Sequence, residues 1–238
     1  MNEEKKLIDL FHSIKKKDGK YRGNELIYIA EVLDWDNHSQ NTPFAVRFEK
    51  AFAKKFGLKF AIGHNSGTST LHSCLAAAEI GSGDEVIVPA QSVTMNPFSV
   101  MHNNAVPVFA DIDEDTFNID PKDIEKKITK KTKAIQVAHM HGLPADMDEI
   151  MTIANKYNLI VIEDSAQCYL SKYKGKIAGT IGHMHSWSFE TKKHMSTGEG
   201  GMVTTDNFDL GTKIRKNAAL GYKILTAGEP MRKILPEE

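Results

Sequence analysis

The chain predicts an α/β domain with a mostly parallel sheet covered by helices. Short runs rich in valine and isoleucine alternate with segments of helical period along most of its length. Those runs lack polar alternation, the pattern of strands buried on both faces. The helical stretches between them are long enough to serve as crossovers between parallel neighbours.

Taken in order, "LIDLFHSIKK" places Leu7, Leu10, Phe11 and Ile14 at helical spacing, and "TPFAVRFEKAFAKKFG" repeats the pattern up to Gly57. Buried strands are expected at 59–64, 85–89, 106–112, 134–140 and 159–164, with another in "HMHSWSF" at 183–189. Helices are expected at 67–80, 93–103, 121–128 and 146–156, and "DLGTKIRKNAALG" reads as one more. The start at 121 is the best marked: Asp120 can cap, Pro121 sits where a missing N–H does no harm, and Ile124 and Ile128 share a face. No internal repeat or low-complexity linker interrupts the alternation.

Composition narrows the function classes. The 238 residues carry Lys+Arg 30 against Asp+Glu 31, a net charge of -1, so nothing draws the chain as a whole toward nucleic acid or an anionic membrane. The basic run "KKITKKTK" at 126–133 is local and reads as a solvated face. Cys74 and Cys168 belong to no CxxC pair, which argues against a disulfide scaffold or a zinc ribbon. The first twenty residues lack the apolar core of a secretory signal, and no stretch approaches the ~20 apolar residues that span a bilayer. A cytoplasmic location is the expectation.

In sheets of this kind ligands bind beyond the carboxyl ends of the strands, so the polar residues just after each strand are the candidates. "NSGTST" at 65–70 opens the Ala/Leu segment that follows the first strand. Gly67 allows close approach, and free helix amides beside Thr68 and Ser69 can cradle a phosphate; capping by Ser66 or Thr68 explains the same residues. Glu163 and Asp164 end another strand. An acid there can hold a metal, act as a base, pair with a cationic ring nitrogen, or simply cap a helix or fill a salt bridge. His139/His141 and His183/His185 each offer two nitrogens on one face of a strand to a metal ion, or are polar strand ends.

"SFETKKHMSTGEGG" at 188–201 carries adjacent lysines, Lys192 and Lys193. Such pairs are usually solvated, but a lysine past a strand end can form a Schiff base with an aldehyde. A lysine, an acid for a ring nitrogen and a hydroxyl-rich phosphate cup are together what pyridoxal 5'-phosphate (PLP) requires.

The segments "NSGTSTLH", "GSGDEVIVPA", "PVFADIDEDTFNID", "TKAIQVAHMHGLPADMDEI", "VIEDSAQ" and "SFETKKHMSTGEGGMVTTD" resemble the DegT/StrS-type sugar aminotransferases, from about Gly23 through 204–207. The resemblance implies the large domain of a fold-type I PLP-dependent transferase, aspartate-aminotransferase-like. It also implies amino transfer from an amino-acid donor, commonly glutamate or glutamine, to a keto sugar attached to a nucleotide, within a homodimer. The family's Schiff-base lysine lies four residues after the phenylalanine of "SF" and six before the glutamate of "EGG", which selects Lys193. Related dehydratases carry histidine there, whereas here the residue is lysine and His194 follows it, which favours transamination; a dehydratase, or an inactive fragment or regulator, is the alternative within the fold. A metal-dependent hydrolase using the histidine pairs is the alternative from another class.

By motif position Asp164 resembles the aspartate that binds the pyridinium nitrogen, and Gln167 the residue packed near the ring and its phenolic oxygen. Gly67, Thr68 and Ser188 resemble the phosphate-holding positions. Two departures stand out: Val93 occupies the place of an aromatic that stacks on the ring, leaving Phe98 as a substitute, and Glu190 stands where a histidine or aromatic is frequent. The resemblance divides the chain into an N-terminal helical segment (1–55), a PLP-binding large domain (56–225) and the start of a truncated C-terminal region (226–238). Family members continue into a smaller C-terminal domain, so a fragment, a truncated gene or a split enzyme is expected.

Overall fold

The computed structural model describes residues 5, 6, 9, 28, 29, 32, 44–219, 221 and 225–228. The expected helix at "LIDLFHSIKK" lies almost wholly outside these, as does most of the 226–238 segment. Contacts divide the chain into two units, Met1–Arg47 and Phe48–Glu238. In the first, the Arg47 guanidinium lies over the rings of Phe44 (4.4 Å) and Tyr28 (5.8 Å).

The described elements run α1 (Phe44–Phe56), β1 (Phe60–His64), α2 (Gly67–Ala77), β2 (Glu85–Pro89), α3 (Met95–His102), β3 (Val106–Ala110), α4 (Pro121–Lys127) and β4 (Thr132–Ala138). They continue with a 3-10 turn (Met140–Gly142), α5 (Met147–Tyr157), β5 (Ile160–Asp164), β6 (Lys172–Tyr173), β7 (Lys176–Ile177), β8 (Met184–Ser188), β9 (Gly201–Thr205) and α6 (Phe208–Ala218). Each expected strand is present within about two residues of its predicted bounds. The expected cap is made as well: the Lys122 amide donates to Asp120 Oδ1 at 2.9 Å.

Among the described residues seven strands form one sheet in the order β1-β9-β8-β5-β4-β2-β3. β9 runs antiparallel to both β1 and β8, while β8, β5, β4, β2 and β3 are mutually parallel. This is the predicted α/β architecture. β9 and the β6–β7 hairpin were not expected; the hairpin turns through Lys174 and Gly175, both at positive φ, and its strands are too short to carry a period.

The strands feed cores on both faces. Val86, Ala134 and Ile162 join α2 residues Leu71, Cys74 and Leu75 in one core. Their neighbours Ile87, Ile135 and Val161 join α5 residues Met147, Ile150 and Ile153 in another. This one-in, one-out alternation sends adjacent residues of a strand into different cores. A third core packs Phe52 and Phe56 against Trp187 and Phe189. Burying an aromatic of this kind contributes about 1.5–3 kcal/mol. Arg215 of α6 grips Glu49 of α1 at 2.7 and 2.8 Å, and Glu49 also accepts the Gly63 amide at 2.7 Å, fixing the end of β1.

Candidate active site

Parallel pairing brings the carboxyl ends of β2, β4, β5 and β8 to one edge of the sheet, and β1 ends there too because the antiparallel β9 lies between it and β8. The start of β9 lies there too, since Gly201 pairs with both His64 and Ser188. A Cβ on Gly201 would lie 2.4 Å from the Ser66 carbonyl oxygen, so only glycine lets the first turn of α2 come this close to the sheet.

That turn is capped from within. The Ser69 amide donates to Ser66 Oγ at 3.1 Å and the Ser66 amide to Ser69 Oγ at 3.2 Å, a reciprocal capping box. Capping by Ser66 is therefore real, and it leaves the Gly67 and Thr68 amides as the helix's open donors. The structure brings Gly67 against Ser188: an added Cβ would meet Ser188 Cβ at 2.7 Å and Oγ at 3.0 Å. Below them Thr70 Oγ1 bonds Ser186 Oγ at 2.6 Å. The missing side chain at Gly67 thus lets Ser188 pack directly on the first turn of α2, which sets its hydroxyl beside the Gly67 and Thr68 amides, donors of the kind that bind a phosphate.

The two adjacent acids of β5 separate to opposite faces. Glu163, on the α5 side, is fully buried. Its Oε2 accepts His139 Nε2–H and the Gly179 amide, both at 2.8 Å, and its Oε1 accepts the amides of Ile181 (2.7 Å) and Gly182 (2.5 Å). Burial alone pushes this carboxyl upward. The His139 hydrogen bond, the neighbouring His185 imidazole and the Gly182 amide outweigh it and hold the pKa at about 2. Glu163 is spent inside the fold and is not available as a site acid.

Asp164 is 6% exposed, on the α2 face. Its Oδ1 accepts the Ala166 amide at 3.0 Å and its Oδ2 accepts Asn96 Nδ2–H at 2.9 Å. Among the described residues it has no cationic partner, so neither the salt-bridge reading nor the helix-cap reading accounts for it. A buried carboxylate that meets only neutral donors is suited to a cation brought by a ligand.

Gln167, on the same strand-end loop, accepts the His141 amide at Oε1 (3.1 Å) and is thereby tied to the 3-10 turn. The Lys193 loop is closed at its base. The Phe189 amide donates to Gly200 O at 2.9 Å, the Thr197 amide to Phe189 O at 3.0 Å and the Lys193 amide to Glu190 O at 2.9 Å. Tyr169 donates its hydroxyl to Ser188 O and packs its ring 5.7 Å from that of His194. Lys193 is half-buried and Lys192 exposed. The Lys193 side chain makes no hydrogen bond or ion pair with Gly67, Thr68, Asp164, Gln167 or Ser188 among the described residues.

The remaining candidates separate. The histidine pairs do not converge on an ion. His139 is held between Glu163 and the Ala145 amide (3.1 Å), whereas His141 lies beyond the end of β4 at φ 55 and is exposed. His183 accepts the Val161 amide at 2.9 Å and His185 bonds Thr204 Oγ1 at 3.2 Å. Among the described residues no group of three or more His, Cys, Asp or Glu side chains is placed to hold a metal. Phe98 is 44% exposed, two positions from Asn96 and so off the buried α3 face formed by Asn96, Ser99 and Val100; Val93 is 43% exposed. Glu190 is turned onto its own loop, accepting the Lys192 amide at 3.0 Å.

Sequence reasoning missed Asn96, Gln136 and Tyr169. Gln136 alone carried a signal, as the one polar side chain in the apolar run "AIQVA".

The sequence profile described as the DegT/DnrJ/EryC1/StrS aminotransferase family matches residues 20–232. The chain is 45% identical over 193 residues to a GDP-perosamine synthase of Caulobacter vibrioides, covering 81% of this chain and 52% of that protein. Among solved structures, an aminotransferase from Psychrobacter cryohalolentis superposes with a TM-score of 0.76 at 42% identity, covering 82% of this chain and 50% of the other. The protein ntda of Bacillus subtilis, solved with bound cofactor PMP, superposes at 0.71 with 33% identity, covering 82% and 45%. The chain thus spans about half the length of the relatives it matches. No helix among the described residues is long and apolar enough to cross a membrane.

Proposed function

The chain belongs to the DegT/DnrJ/EryC1/StrS aminotransferase family, and from that premise we propose that its protein is a PLP-dependent sugar aminotransferase. It moves an amino group from an amino acid, glutamate or glutamine, to a keto sugar carried on a nucleotide, in amino-sugar or surface-polysaccharide synthesis. The observation that carries this reading is the buried Asp164 carboxylate, held by two neutral donors with no cationic partner among the described residues, at the same sheet edge as the Gly67–Ser188 contact.

PLP, when bound, supplies a ring that takes up electrons as the amino group changes hands. Residues 56–225 form the binding body in this proposal. The amides of Gly67 and Thr68 and the Ser188 hydroxyl bind the phosphate at the N-terminus of α2. Asp164 would hold the ring nitrogen's proton by charge, and Gln167 would be the residue beside the phenolic oxygen. Lys193 would be the residue that holds the cofactor's aldehyde carbon, and its amine would serve as the general base for the donor's Cα proton. A cytoplasmic homodimer without nucleic-acid or membrane partners completes the reading.

Incubating the purified full-length protein with PLP and glutamate is expected to release 2-oxoglutarate and leave the cofactor in its pyridoxamine form. A protein that binds PLP but releases no oxo acid from glutamate or glutamine contradicts the proposal. Gly67→Ala tests the phosphate assignment. Its Cβ would stand 2.7 Å from Ser188 Cβ, and relieving that costs about 1–3 kcal/mol of overpacking. PLP affinity, read by absorbance titration of the apo-protein, is expected to fall about tenfold or more. Unchanged affinity would remove the phosphate from this helix end.

A further inference from the structure

We infer that Asn96 and Gln136 form a buried amide relay that positions Asp164 for the cofactor ring, making both of them positioning residues for the reaction. This rests on the reading of Asp164 given above and assigns a role to two side chains outside that reading.

The relay spans α3, β4 and β5. Gln136 Nε2–H donates to Asn96 Oδ1 at 2.7 Å and to the Asn96 carbonyl at 3.1 Å; Asn96 Nδ2–H then donates to Asp164 Oδ2 at 2.9 Å. Asn96 and Gln136 are fully buried. The direction of the chain is forced. Turning the Asn96 amide over would set its NH2 against Gln136 Nε2 and its oxygen against the Asp164 carboxylate, two repulsive pairs in place of two bonds. Turning Gln136 over would set its oxygen against both Asn96 oxygens.

The surroundings lock it further. Ser99 Oγ donates to the Asn96 carbonyl at 2.8 Å, and Asn96, Ser99 and Val100 form the buried face of α3. With the Ala166 amide on Oδ1, one donor fixes each Asp164 oxygen, so the carboxylate can neither rotate nor withdraw.

Gln136 is also costly where it stands. It occupies an otherwise apolar stretch of β4, and its Oε1 is buried with no hydrogen-bond partner among the described residues. An orphaned buried acceptor is tolerated when the other half of the amide does something an apolar side chain cannot do. Here that is to orient Asn96.

The test uses the full-length protein and its Asn96→Ala, Gln136→Leu, double and Asp164→Asn variants. PLP affinity and the pH midpoint of the bound cofactor's visible absorbance are measured for each, with apo-protein melting as a check on folding. Losing a hydrogen bond to a charged group predicts PLP binding about 10- to 100-fold weaker in Asn96→Ala. The midpoint should move to higher pH, because a ring whose proton is held less firmly withdraws less charge from the Lys193 linkage. Gln136→Leu should shift both in the same direction, and the double variant should be no worse than Asn96→Ala alone.

If Asp164→Asn moves affinity and midpoint while Asn96→Ala and Gln136→Leu move neither, the relay is refuted and the reading of Asp164 stands. If Asp164→Asn moves neither, that reading fails and the relay with it. Should Asn96→Ala not fold, Gln136→Leu decides by the same two readings. A loss of melting temperature with an unmoved midpoint means packing only and overturns the inference.

Discussion

Lys193→Ala is expected to abolish covalent attachment of the cofactor and to lower amino transfer by about 10³-fold or more. Lys192→Ala should stay near wild type in both. The two side chains are chemically identical and adjacent, so the difference must come from place. Lys192 is exposed, whereas Lys193 is half-buried on a loop whose base is pinned to Phe189. That loop follows β8, whose last residue, Ser188, packs on Gly67, so the loop of Lys193 begins beside the proposed phosphate site. A positioned base and a covalent anchor are lost together in Lys193→Ala, which is why the effect exceeds that of either. Steady-state rates with a keto-sugar acceptor, alongside the visible spectrum of each variant, provide the check. A Lys192→Ala protein that loses the spectrum while Lys193→Ala keeps it would reverse the assignment.

The second large effect concerns folding. Glu163→Gln is expected to destabilise the protein by about 3–5 kcal/mol at neutral pH, a large share of a typical domain's stability of about 5–15 kcal/mol. Four N–H donors converge on its two oxygens. An amide NH2 replacing either oxygen would face two of those donors with nothing to accept them. The pH dependence has a definite sign. The folded carboxyl sits at about 2 against an ordinary value of 4.5, so its contribution is complete above 4.5 and is lost as pH falls toward 2. The stability gap between wild type and Glu163→Gln should therefore be widest near neutrality and narrow below pH 4.5. Urea unfolding of both proteins across that range measures it, and a gap that stays constant through the window would contradict the account. Because Glu163 and Asp164 are neighbours on β5, some loss of cofactor affinity is expected alongside.

Much of the fold was legible because its strands are buried on both faces and its crossovers punctuate them. "EVIVP" is β2 to the residue, and Asp120–Pro121 opens α4 as predicted. β9 was not, since "GMVTT" follows two glycines and carries hydroxyls that are paired only through the fold, as when Trp187 Nε1–H donates to Thr204 Oγ1 at 3.0 Å. The candidate site was legible wherever a motif lies within one strand-end loop. Gly67 was marked by its own turn and Ser188 only by the resemblance; far apart in sequence, the two are in contact in the fold. The metal alternative for the histidine pairs needed strand alternation to continue through His141, where the chain has already left β4 for a left-handed turn. Asn96 was invisible because its meaning lies in a partner 68 residues away, and no local signal in "VTMNPF" points to it.

The most direct measurement is peptide mapping of the full-length protein after incubation with PLP and reduction with borohydride. The account predicts one pyridoxyl-modified peptide with the label on Lys193 and unmodified Lys192. Label on Lys192, or no stable label at either lysine, would contradict it.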